Sequence, residues 1–124
     1  MPQSNVVVAT VDDDRRVRES VQSILESAGY DAVAFESGEA FLESGALSGV
    51  ACVVADVRLP GIDGLELQRR VRRDRPSVPI IFITAHDDDD IRRRALKDGA
   101  LAFMVKPFDG GELLEHIARI TSES

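Results

Sequence analysis

Asp12 and Asp13, Asp56, Thr84 and Lys106 all stand at the downstream ends of apolar runs. Asp56 is the sharpest case. In Val53-Val54-Ala55-Asp56-Val57-Arg58-Leu59-Pro60-Gly61-Ile62-Asp63-Gly64 a carboxylate closes an apolar run just ahead of a Pro/Gly turn. Burying a lone charge is costly, so Asp56 requires cations or hydrogen-bond donors around it. Two carboxylates about 4 Å apart repel by roughly 4 kcal/mol at an effective dielectric near 20, so three of them against one lysine need a further cation. A hard divalent ion with oxygen ligands fits. Mg²⁺ fits best because it accepts one or two carboxylates, several waters and a phosphoryl oxygen, with Mn²⁺ as the substitute. Asp13 and Asp56 are the expected direct ligands, Asp12 acts through water, and the backbone carbonyl near Arg58 completes the set. The chemistry this suits is phosphoryl transfer onto Asp56, with the metal and Lys106 neutralising charge on the equatorial oxygens and the Thr84 hydroxyl donating to one of them.

The elements that must bring these residues together follow from the hydropathy pattern. Val6–Val11, Asp31–Phe35, Val50–Ala55, Pro79–Thr84 and Ala100–Val105 read as strands. Between and after them, helical spacing places Val17, Val21, Ile24, Leu25 and Ala28 on one face of Arg15–Ala28. A short helix carries Ala40, Phe41 and Leu42 behind an N-cap at Ser37. Leu67 and Val71 share a side of a basic-faced helix over Leu65–Arg73. Asp87–Lys97 has acid at its start and base toward its end, as the helix dipole favours. Gly111–Ile120 puts Leu113, Leu114, Ile117 and Ala118 on one face. Five strand-then-helix units predict one α/β domain, a parallel sheet sandwiched between helices. Such a sheet binds ligands outside the carboxyl ends of its strands, where the polar residues above would meet.

Bulk properties narrow the function classes. The 124 residues suffice for a single core, and 44% hydrophobic content is ordinary for a globular chain. A net charge of -7 argues against direct nucleic-acid binding or attraction to an anionic membrane surface. The single cysteine, Cys52, excludes an intrachain disulfide, and no apolar run approaches the roughly 18 residues of a membrane span. Met1–Asn5 lacks a basic segment leading into an apolar one, and a soluble cytoplasmic domain is the expectation. The polar tail Thr121-Ser122-Glu123-Ser124 is where a linker could begin.

The acid pair in VDDD, the acceptor in VVADVRLPGIDG, the Thr84-Ala85-His86 after the fourth strand and FMVKPF near the end together resemble the receiver domain of bacterial two-component response regulators. The motifs keep the order and spacing of that family from about Val6 to Ile120. Thr84-Ala85-His86 and the EAFL of Glu39–Leu42 are similar to the receivers of FixJ-type transcription factors. The resemblance implies a flavodoxin-like, doubly wound (βα)5 fold with strand order 2-1-3-4-5. It implies that a sensor histidine kinase donates a phosphoryl group to Asp56, making the domain a phosphoacceptor that assists its own Mg²⁺-dependent phosphorylation and dephosphorylation. It maps the family's acid pair onto Asp12 and Asp13, its switch hydroxyl onto Thr84, its rotating aromatic onto Phe103 and its lysine onto Lys106. It also implies a cis Lys106-Pro107 bond. Thr84 moving toward the phosphoryl group would let Phe103 turn inward and alter the face of the fourth helix, fifth strand and fifth helix, through which a homodimer is expected. The output, expected to be transcriptional, would lie in a DNA-binding domain outside this chain.

Plainer roles compete for several of these residues. Asp14 reads as the N-cap of the first helix, and the run Asp87–Asp90 as a solvated helix start. Arg92-Arg93-Arg94 and the arginines from Arg69 to Arg75 read as solvated helix faces, and Cys52 as a small buried apolar residue. Two other function classes stand against a phosphoacceptor. A phosphatase of the haloacid-dehalogenase type would carry a second Asp where Arg58 stands. A constitutive interaction module would have no use for the complete set of acids, hydroxyl and lysine.

Overall fold

Strands and helices alternate through residues 6–121, the part of the chain that the computed structural model describes; the expected tail at residues 122–124 lies outside it. In order they are β1 (Val7–Val11), α1 (Arg15–Ser27), β2 (Asp31–Phe35), α2 (Gly38–Ser44), β3 (Cys52–Ala55), α3 (Gly64–Asp74), β4 (Ile80–Thr84), α4 (Asp89–Lys97), β5 (Ala102–Val105) and α5 (Gly110–Thr121). The strands form one five-stranded sheet in the order β2-β1-β3-β4-β5, and every neighbouring pair is parallel.

Period-two alternation within each strand supplies a core on either side of the sheet. Val8, Cys52, Val54, Ile81, Ile83, Ala102 and Met104 pack with Val21 and Leu25 of α1 and Leu113 and Ile117 of α5. Ala9, Val11, Val53, Ala55, Ile80, Phe82 and Phe103 pack with Phe41 of α2, Leu67 and Val71 of α3 and Ala95 of α4. Burial pushes the Cys52 thiol up to about 12, as befits a small apolar residue held away from water.

Side chains cap the helices where Asp and Ser precede them. Asp14 accepts from Arg16 N at the start of α1, Ser37 from Ala40 N at α2, Asp63 from Glu66 N at α3, and Asp88 from Asp90 N and Ile91 N at α4. Using Asp88 as the cap moves the start of α4 to Asp89, two residues beyond the expected Asp87. β3 and β5 each begin two residues later than expected, and a single 3-10 turn at Ala46–Ser48, for which the hydropathy pattern gave no sign, joins α2 to β3. Ala28 and Ala118 are exposed rather than core-facing; Ala28 is the C-cap of α1, past its last helical residue.

Two of the arginines expected to be solvated have structural roles. Arg75 caps α3 and donates from Nη1 to the carbonyls of Leu47 (3.1 Å) and Ser48 (2.8 Å), tying α3 to the turn before β3. Arg92 lies half-buried with its guanidinium 4.9 Å from the Phe103 ring centroid and bonds Asp87 at 2.8 Å. Among the described residues no helix is long and apolar enough to cross a membrane.

Candidate functional site

The order β2-β1-β3 makes the β1/β3 boundary the point where successive strands diverge, and parallel sheets bind ligands outside the carboxyl ends at such a point. Register sets what stands there. Val11 pairs with Ala55, so Asp12 and Asp56 leave their strands side by side, and Asp56 N donates to Val11 O at 3.1 Å. On β5, Val105 pairs with Thr84, and Lys106 N donates to Thr84 O at 2.7 Å, which brings the lysine out at the same rim.

Lys106 Nζ donates to Asp56 Oδ2 at 2.9 Å and to Asp12 Oδ2 at 3.1 Å. The other oxygen of each acid is held by backbone, Asp56 Oδ1 by Arg58 N at 3.0 Å and Asp12 Oδ1 by Asp14 N at 2.9 Å. Both carboxylates are nearly out of contact with solvent, their side chains 9% and 4% exposed. Burial raises the Asp12 carboxyl above the ordinary value, and the Asp14 amide and Lys106 offset this only in part. For Lys106, burial alone favours the neutral amine, but the hydrogen bonds with Asp56 and Asp12 outweigh it and leave the ammonium above its usual range.

Asp13 completes the acid cluster. Its side chain is exposed, and carboxylate oxygens of Asp12, Asp13 and Asp56 lie within 4.8 Å of one another. Three acids facing one ammonium form an all-oxygen donor set with excess negative charge, which fits a hard divalent cation and not a soft one.

Thr84 is the last residue of β4 and buried, its Oγ1 accepting from His86 N at 3.2 Å, which leaves the hydroxyl proton free to be donated elsewhere. The Arg58 side chain is exposed, and the residue meets Asp56 through its backbone N–H. The Lys106-Pro107 peptide bond is cis. Phe103, expected to turn inward on switching, is already buried here, 6.3 Å from the Phe82 ring and beneath Arg92. The sequence reading missed Arg18, whose Nη1 donates to Asp12 O at 2.8 Å. Its position on the α1 turn facing the acid pair was the available signal. It also missed Arg92, because cation–π contact across two elements leaves no mark in local spacing.

The sequence model of the response regulator receiver domain matches residues 8–118. The chain belongs to that family. The receiver is 40% identical over 118 residues to nodulation protein W of Bradyrhizobium diazoefficiens, covering 95% of this chain and 52% of that one. It is 40% identical over 108 residues to the transcriptional regulatory protein FixJ of the same organism, covering 86% of this chain and 52% of FixJ. The receiver thus spans about half the length of the curated relatives it matches. Among solved structures it is similar to the BeF3-activated DrrB receiver domain, with a TM-score of 0.88, 30% identity, and 96% and 99% of the two chains covered. It is also similar to the chemotaxis response regulator CheY4 of Vibrio cholerae, with a TM-score of 0.83, 26% identity, and 94% and 99% covered.

Proposed function

We propose that this receiver accepts a phosphoryl group on Asp56 from a phosphohistidine of a sensor histidine kinase and thereby regulates a covalently linked output domain. The observation that carries the reading is the ammonium of Lys106 bridging Asp12 and Asp56 inside a three-carboxylate cluster at the β1/β3 divide. In the transfer, a carboxylate oxygen of Asp56 forms a bond to phosphorus as the bond from phosphorus to the histidine nitrogen breaks. The nitrogen keeps the electron pair, and the product is an acyl phosphate. Lys106 compensates charge on the transferred oxygens as a mobile point charge, and the Thr84 hydroxyl donates its free proton to one of them. Asp12, Asp13, Asp56 and the Arg58 carbonyl would hold Mg²⁺, which supplies charge neutralisation at the phosphoryl oxygens when bound.

The switch is a shift between two conformers. Moving such an equilibrium from 1:99 to 99:1 takes about 5.5 kcal/mol of differential stabilisation, within reach of several new charge-assisted contacts. Transcription is the favoured output because FixJ, 40% identical, is named a transcriptional regulatory protein. Titration with beryllofluoride and Mg²⁺, followed by amide chemical shifts, tests the reading. Native protein responds at Asp56, Thr84 and Lys106 and Asp56→Asn does not; a silent native protein, or an equal response from Asp56→Asn, would refute it.

A further inference from the structure

The EAFL segment of Glu39–Leu42 opens α2, and the phosphoacceptor chemistry leaves its acid without a task. Glu39 Oε2 accepts a hydrogen bond from Ile62 N at 2.9 Å, across 23 residues of sequence. Ile62 lies toward the downstream end of the loop between β3 and α3, immediately before the N-cap Asp63. That loop is pressed onto the first turn of α2 on both sides of the bond. A Cβ added to Gly61, whose φ is +74°, would fall 2.0 Å from Glu39 Oε2. One added to Gly38 would stand 2.8 Å from Ile62 Cγ1. The two ends of the loop are fixed by other contacts. Arg58 N holds Asp56 Oδ1 at 3.0 Å, Gly64 N donates to Val57 O at 2.7 Å, and Asp63 caps α3. Glu39 therefore holds the downstream part of the same loop whose Arg58 N–H donates to the acceptor acid.

We infer that Glu39 is a positioning residue for the metal and phosphoryl site, acting through the Ile62 amide to hold the β3–α3 loop and its Arg58 backbone in place. The inference rests on the phosphoacceptor reading of Asp56. The plainer role for an acid in the first turn is attraction to the helix dipole. That need is already met in part, since Ser37 Oγ accepts from Ala40 N at 3.0 Å. The two roles separate cleanly. A dipole effect, or a simple long-range pull on a cation, depends on the charge of Glu39; positioning depends on an acceptor oxygen facing Ile62 N.

The test compares Glu39→Ala, which loses both, with Glu39→Gln, which keeps an acceptor and loses the charge. Mg²⁺ affinity is read by calorimetry, and amide hydrogen exchange at Arg58 and Ile62 is read in chelator, without metal. Glu39→Ala is expected to bind Mg²⁺ about tenfold more weakly, in the range known for groups that orient metal ligands. It is also expected to exchange faster at both amides, and Glu39→Gln to recover most of both effects. Equal weakening in the two variants, or unchanged Arg58 exchange in Glu39→Ala, would overturn the inference. If Mg²⁺ binds native protein and Asp56→Asn alike, the phosphoacceptor reading fails instead, and the metal-free exchange still decides whether Glu39 holds the loop.

Discussion

Lys106 donates to acids 50 and 94 positions upstream, and those two bonds draw together ends of the chain that share no local pattern. Its value lies in charge. A hydrogen bond to a charged partner contributes about 1.5–3 kcal/mol. Lys106→Met is therefore expected to weaken beryllofluoride binding about ten- to a hundredfold, read by amide-shift titration. A change smaller than about twofold would remove Lys106 from the site. Cys52 offers a second check at this scale, away from the acids. Its folded value near 12 lies above the unfolded 9.0, so only the unfolded thiol ionises between them. The stability this group contributes is intact below pH 9 and is lost as pH rises toward 12. The stability advantage of native protein over Cys52→Ala is expected to shrink by about 1.4 kcal/mol per pH unit in that window, read by urea unfolding. A difference that stays constant with pH would contradict the burial of the thiol.

The elements hold these residues through backbone approach as much as through side chains. Gly64 begins α3 so close to the backbone just after β3 that an added Cβ would lie 2.5 Å from Asp56 O and 2.7 Å from Val57 Cα, neither of which can rotate away. Gly64→Ala is expected to cost about 1–3 kcal/mol in denaturant unfolding and to weaken Mg²⁺ binding by displacing Asp56. Unchanged stability would mean the strand and helix are looser than their contact distances imply. Much of this scaffold was readable from residues alone. The β-branched runs marked the strands because both sheet faces are covered, and Asp14 and Ser37 announced their helix starts through capping chemistry. The alignment of Asp12, Asp13, Asp56, Thr84 and Lys106 at one rim followed from their places at strand ends. What escaped was tertiary. Ala28 and Ala118 fit a helical stripe but are left exposed, Arg75 gives its guanidinium to carbonyls of another loop, and Arg92 covers an aromatic from β5. None of these depends on spacing within an element.

For the whole molecule the question is how a change at Asp56 leaves the rim. Phe103, the expected rotating aromatic, is buried against Phe82 of β4 and under Arg92 of α4. Nearby, Leu96 and Leu101 are the large apolar side chains that remain exposed among the described residues, at 44% and 37%. They lie at the end of α4 and in the turn into β5, which suits the homodimer expected through α4, β5 and α5. Beryllofluoride with Mg²⁺ is expected to double the mass seen by light scattering, and Leu96→Glu with Leu101→Glu to prevent it. An unchanged native mass would dispose of the dimer and leave the phosphoacceptor chemistry standing. That chemistry is tested most directly by incubating native protein and Asp56→Asn with acetyl phosphate and Mg²⁺, then mapping the label by peptide mass. Asp56 as acceptor predicts a phosphoryl group on the Asp56 peptide of native protein and none in the variant. Label on another peptide, or equal label after the acid is made an amide, would contradict it.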